Sequence, residues 1–119
     1  MPRPFASTVR LAHVLTLALA LGILVTTLWP SHGHHPPFTL RDKVLHLLAF
    51  AALILPMAVT EPRRALRFAP VYIAFGAAIE VIQPAFGRGA EWLDLLADAL
   101  GVGLGLALGW GVRAAFRRR

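Results

Sequence analysis

Between positions 80 and 98 the chain reads Glu80-Val-Ile-Gln83-Pro-Ala-Phe-Gly-Arg88-Gly-Ala-Glu91-Trp-Leu-Asp94-Leu-Leu-Ala-Asp98, and earlier it carries Asp42-Lys43-Val-Leu-His46. These side chains can do three kinds of work. His46 and Glu80 can move protons as general bases. Arg88 offers a planar fork that grips a phosphate or carboxylate through two parallel hydrogen bonds, and Lys43 and His46 can add positive charge to the same anion. Apolar segments long enough to span a bilayer lie on either side, so Glu80, Asp94 and Asp98 fall at or inside a membrane boundary, where an ionisable group is a functional candidate by default.

The elements that carry these residues follow from composition and punctuation. With 119 residues, 57% hydrophobic content and 15% charged residues, the chain is one domain and too apolar for an ordinary soluble protein of its size. The expected class is all-α: a polytopic membrane protein built as a four-helix transmembrane bundle. The expected spans are about 11–29, 44–60, 66–83 and 93–112, each about long enough to cross. A cleaved signal peptide competes for the first span, but the run is long and Thr26-Thr-Leu-Trp-Pro30 lacks a small-x-small cleavage pattern. No internal repeat is visible.

Helix boundaries are read from caps and prolines. Asp42 suits the N-cap of the second helix, with His46 one turn on along the same face. Pro56 should kink that helix. Glu61 to Arg67 reads as a turn, Pro70 as part of the opening turn of the third helix, and Pro84 as its stop. Gly76, Glu80 and Gln83 share one face of the third helix. Glu91 reads as a solvated acid in the first turn of the fourth helix, favoured by the helix dipole, and Lys43 as an interfacial lysine.

Charge distribution orients the bundle. Nine basic residues (Arg3, Arg10, Arg63, Arg64, Arg67, Arg113, Arg117, Arg118, Arg119) fall in the tails and the middle link, against three (Arg41, Lys43, Arg88) in the other two loops. Both termini should therefore be cytoplasmic, in the bacterial inner membrane. Trp29 and Trp92 mark outer ends of spans and Trp110 an inner one. The same end-loaded pattern argues that the formal charge of +6 meets lipid headgroups and not nucleic acid. With no cysteine, disulfides, thiolate metal sites and cysteine nucleophiles are excluded. His32, His34 and His35 lie close together in a Pro/Gly-rich loop without an acidic partner, so no metal is assigned to them, and no cofactor is expected.

This topology brings Asp42, Lys43, His46, Glu80, Gln83, Arg88, Asp94 and Asp98 to one depth, the outer third. On the fourth helix Asp94, Asp98, Gly101, Gly105 and Gly109 fall in one narrow arc, and Gly-xxx-Gly-xxx-Gly admits another backbone closely. The acidic face is therefore the packed face.

Asp42-Lys43-x-x-His46, Glu80-x-x-Gln83, Gly87-Arg88 and Asp94-x-x-x-Asp98-x-x-Gly101 with Gly105 together resemble the VanZ-like family of small multi-pass membrane proteins over roughly residues 41 to 108. That family is named for a member associated with low-level glycopeptide resistance. The resemblance implies a helical bundle of the cell envelope with its motif residues near the outer face, and no settled reaction. Three function classes are open on the residues themselves: recognition of an anionic lipid or cell-wall precursor, an intramembrane enzyme acting on a lipid phosphate, and a small proton-coupled transporter. No Ser, Thr or Cys of the cluster offers a nucleophile, and acids near one face do not suit a transporter site at the midplane. Membrane lipids are the expected partners, with self-association left open. The structural alternative is a lock in which Arg88 neutralises Glu80 and fixes the loop.

Overall fold

A chain without water around it must satisfy its backbone internally, and long apolar runs do so as helices. The computed structural model describes residues 6–29, 40–87 and 89–118. Four helices form: α1 (Ala6–Thr27), α2 (Leu40–Thr60), α3 (Pro62–Ile82) and α4 (Trp92–Arg117), with a 3-10 turn at Gln83–Phe86 after α3. Among the described residues there is no strand. The shortest helices, α2 and α3, have 21 residues, about 32 Å of helix, enough for a hydrocarbon core of about 30 Å. All four are long and apolar enough to cross a membrane, and the molecule measures 51 × 24 × 20 Å. The expected all-α multi-pass bundle is thus present. His32, His34, His35 and Arg88 lie outside the described residues.

Several expected boundaries shift. The link at 61–67 shrinks to Glu61, because Pro62 opens α3 at a position where its missing N–H would have had no partner. Pro70 consequently stands in the interior of α3 and not in its opening turn. Asp42 is not an N-cap either, since α2 already includes Leu40 and Asp42 belongs to its first turn. At the other end of α3 the chain leaves the helix where Pro84 was expected to stop it. The 3-10 turn closes on Gly87, whose φ of 73° is a left-handed conformation that favours glycine.

The core is built around α2. Phe50, Leu53 and Ile54 are fully buried, and each neighbouring helix meets this helix differently. From α1, the Thr16 hydroxyl donates to the Leu53 carbonyl at 3.2 Å. From α3, the Phe75 ring lies 6.0 Å from that of Phe50. From α4, Gly101, Gly105 and Gly109 face the Leu47, Ala51 and Ala58 positions so closely that a Cβ on any of them would collide. The expected small-residue seam therefore exists, with α2 as its partner. Helix α1 is peripheral: only Ala12 and Ile23 are buried, and Leu11, Val14, Leu17 and Leu21 face outward. In a membrane that surface meets lipid.

Candidate functional site

The site lies where α1 and α3 end and where α2 and α4 begin. Asp42, Lys43 and His46 come from the first two turns of α2, Asp94 and Asp98 from those of α4, and Glu80 from the last turn of α3. The helical spacing of four between Asp94 and Asp98 puts both acids on the glycine face, so the packing of α4 on α2 turns them inward. Asp94 and Asp98 are 4% and 1% exposed. Carboxylates this deep require partners.

Those partners are Lys43 and His46 of α2. The Lys43 ammonium bonds Glu91 and Asp94 together and lies 3.6 Å from Asp42. One turn deeper, His46 Nδ1 donates to Asp98 Oδ1 at 2.8 Å, while Nε2 is 3.8 Å from Asp94 Oδ2. One ammonium and one imidazole from α2 thus clamp the first turns of α4. Lys43 is more enclosed than an interfacial lysine, with 11% of its side chain exposed. Glu91 is likewise not a solvated first-turn acid. It occupies the N-cap position, makes no capping bond through its side chain, and turns its carboxylate to Lys43.

Glu80 does a different job. Its Oε2 accepts the Glu91 backbone N–H at 2.9 Å, which ties the end of α3 to the start of α4. Its Oε1 is buried and has no hydrogen-bond partner. Gln83, one turn on, donates from Nε2 to the Thr27 carbonyl at 3.2 Å, linking α3 to α1, while its Oε1 is also buried and unpartnered. All four helices are therefore connected at this end by polar side chains. Of the expected site residues, Asp42, Lys43, His46, Glu80, Asp94 and Asp98 come together. Gln83 joins the structure beside them and faces α1.

Beside the cluster a cleft of ≈ 380 Å³ opens between α1 and α2, lined by Thr26, Thr27, Asp42 and His46 and by Ile23, Leu45, Ala49 and Phe50. Thr26, Thr27 and Asp42 lie nearer the helix ends than Ile23, Ala49 and Phe50, so the cleft becomes more apolar with depth. Two threonine hydroxyls consequently stand near His46, although no hydroxyl residue is close to it in sequence. Both donate to carbonyls of their own helix, Thr26 to Gly22 and Thr27 to Ile23, and keep lone pairs to accept. The sequence held no signal for this, because nothing local says which face of α1 turns toward α2.

A second polar group occupies the opposite end. His13 Nε2 is 3.0 Å from Glu61 Oε2, and Arg64 is 3.2 Å from Glu61 Oε1. Arg113 donates to the last carbonyls of α2, Val59 at 2.8 Å and Thr60 at 3.2 Å. Arg113 thereby satisfies terminal carbonyls of α2. Glu61 gives His13 a partner that its position alone did not suggest.

No family model matches this chain, and neither a curated protein nor a solved structure does.

Proposed function

We propose that the chain is a VanZ-like recognition protein of the bacterial cytoplasmic membrane, binding an anionic envelope lipid or a lipid-linked cell-wall precursor at the outer face. The observation that carries this reading is the graded cleft between α1 and α2. Hydroxyl, carboxylate and imidazole groups nearer the helix ends suit a polar headgroup, and the apolar wall below suits the start of an acyl chain. Nine basic residues on one side of the membrane against three on the other support placing this end outward. Location of the acids in the first turns of α2 and α4, away from mid-helix, favours surface recognition over transport.

The roles expected of individual residues change on this reading. Lys43 is held by Glu91, Asp94 and Asp42, so it acts as a clamp between helices. Arg88 is the basic residue proposed to grip the anion, by virtue of its place in the loop between the two acidic helix ends. The test is lipid retention in nanodiscs of phosphatidylglycerol and phosphatidylcholine, read by native mass spectrometry. Ala49→Leu, which fills the cleft, should lower retained phosphatidylglycerol several-fold. Arg88→Lys should do so while leaving the melting temperature unchanged, because a lysine keeps the charge and loses the fork. Retention that is the same in both variants as in the parent would defeat the proposal.

A further inference from the structure

Charge at the site does not balance around its deepest acids. Among the described residues five carboxylates (Asp42, Glu80, Glu91, Asp94, Asp98) surround one ammonium and one imidazole. Lys43 serves Asp42, Glu91 and Asp94. That leaves Asp98, 1% exposed, with His46, and it leaves Glu80, 8% exposed, with a single backbone donor on one oxygen. The other Glu80 oxygen is buried without any partner, and a buried acceptor of that kind is costly unless something positive meets it.

We propose that His46, Glu80 and Asp98 form a binding site for a divalent transition-metal ion of the Zn²⁺ or Mn²⁺ class. One ligand atom from each lies within 4.8 Å of the other two. Ligands of a tetrahedral zinc site are separated by roughly 3.4 Å given metal bonds of about 2.0–2.2 Å, a difference that small side-chain rotations close. One imidazole nitrogen with two carboxylates selects borderline ions over Ca²⁺ or Mg²⁺, which prefer oxygen alone, and over Cu⁺, which prefers sulfur. The three residues come from three helices, α2, α3 and α4, so bound metal would also cross-link the bundle. Asp42, His46 and Asp94 form an overlapping cluster, but Asp94 is committed to Lys43 and Asp42 is half exposed. It lacks the unpartnered buried oxygen that distinguishes Glu80.

The ion site stands without the lipid reading. It also bears on it, because His46 lines the α1–α2 cleft. A divalent ion there would make an acid-rich corner receptive to an anionic headgroup.

The test uses full-length protein without a histidine tag, in nanodiscs, in a His32→Ala/His34→Ala/His35→Ala background that removes the histidine-rich loop as a rival site. Zn²⁺ and Mn²⁺ are titrated by equilibrium dialysis with elemental analysis, in zwitterionic lipid so that no anionic ligand contributes. One equivalent should bind, and Glu80→Gln, His46→Gln and Asp98→Asn should each weaken it at least tenfold. Glu91→Gln, which keeps the backbone donor to Glu80, should leave the affinity unchanged. Without metal, Glu80→Gln should melt at or above the parent temperature, since it replaces an unpartnered carboxylate with a neutral amide. Lost affinity then cannot be lost folding. Binding that vanishes with the three loop histidines, or that survives Glu80→Gln undiminished, would overturn the site whatever the lipid experiments give.

Discussion

Lys43 gathers carboxylates from its own helix and from the start of α4, and its value lies in what its loss would strand. Asp94 has 6% of its side chain exposed, so Lys43→Met would leave it charged and enclosed. Breaking one partner out of a buried pair costs about 3–5 kcal/mol, whereas removing both is far milder. Lys43→Met should therefore lower the melting temperature sharply, and Lys43→Met/Asp94→Asn should regain more than half of the loss. Thermal unfolding of both in one detergent decides the matter, and a double variant no better than the single one would mean that the pair is incidental. The sequence identified Lys43 and Asp94 as site residues because charge is rare at this depth. It did not pair them, since they are 51 residues apart and no local rule links the first turn of one span to that of another. Glu91 was misread for a related reason. The dipole of α4 explains an acid there equally well with or without a lysine from α2.

Glycine spacing made one inter-helix contact legible at the level of elements. A four-residue repeat of Gly101, Gly105 and Gly109, continuous with Asp94 and Asp98, marked the packed face of α4. Its partner was not legible, because any helix with small residues could receive that face. The answer is α2, whose Ala51 and Ala58 lie against Gly105 and Gly109. Gly103 supplies an internal control, for nothing lies within 4 Å of where its Cβ would be, while a Cβ at Gly105 would come 2.5 Å from the Ala51 carbonyl oxygen. Gly103→Ala should be neutral or stabilising by about 0.5–1 kcal/mol through helix propensity alone. Gly105→Ala gains the same propensity and must still push two backbones apart, a net loss of about 1–3 kcal/mol by the usual cost of overpacking. Folded yield and melting temperature of the two variants compare them directly. If Gly105→Ala equals Gly103→Ala, α4 does not pack on α2 through this seam. Boundaries were less legible than faces: Glu61 to Arg67 is polar enough to read as a turn, yet Pro62 lets the helix begin at once and carries the three arginines on α3.

At the scale of the molecule, charge sits at the ends and apolar surface between them, over a length of 51 Å that exceeds a hydrocarbon core of about 30 Å. The ends differ in kind. One holds the acidic cluster with Lys43 and His46 of α2; the other holds Arg63, Arg64, Arg67, Arg113 and Arg117, which meet only Glu61 as an acid in sequence. Basic loops are retained on the cytoplasmic side during insertion and acids contribute little, so the arginine end should be cytoplasmic and the site should face out. The chain has no cysteine, which makes single-cysteine labelling clean, and α4 offers a reporter near each end. Gly89, before α4, is exposed with open space around it, and Ala115, in its last turn, is exposed as well. In intact spheroplasts Gly89→Cys should react with a membrane-impermeant maleimide, and Ala115→Cys should react only after lysis. Labelling of Ala115→Cys alone before lysis would invert the bundle and put the cluster in the cytoplasm, where an envelope precursor on the outer leaflet could not reach it.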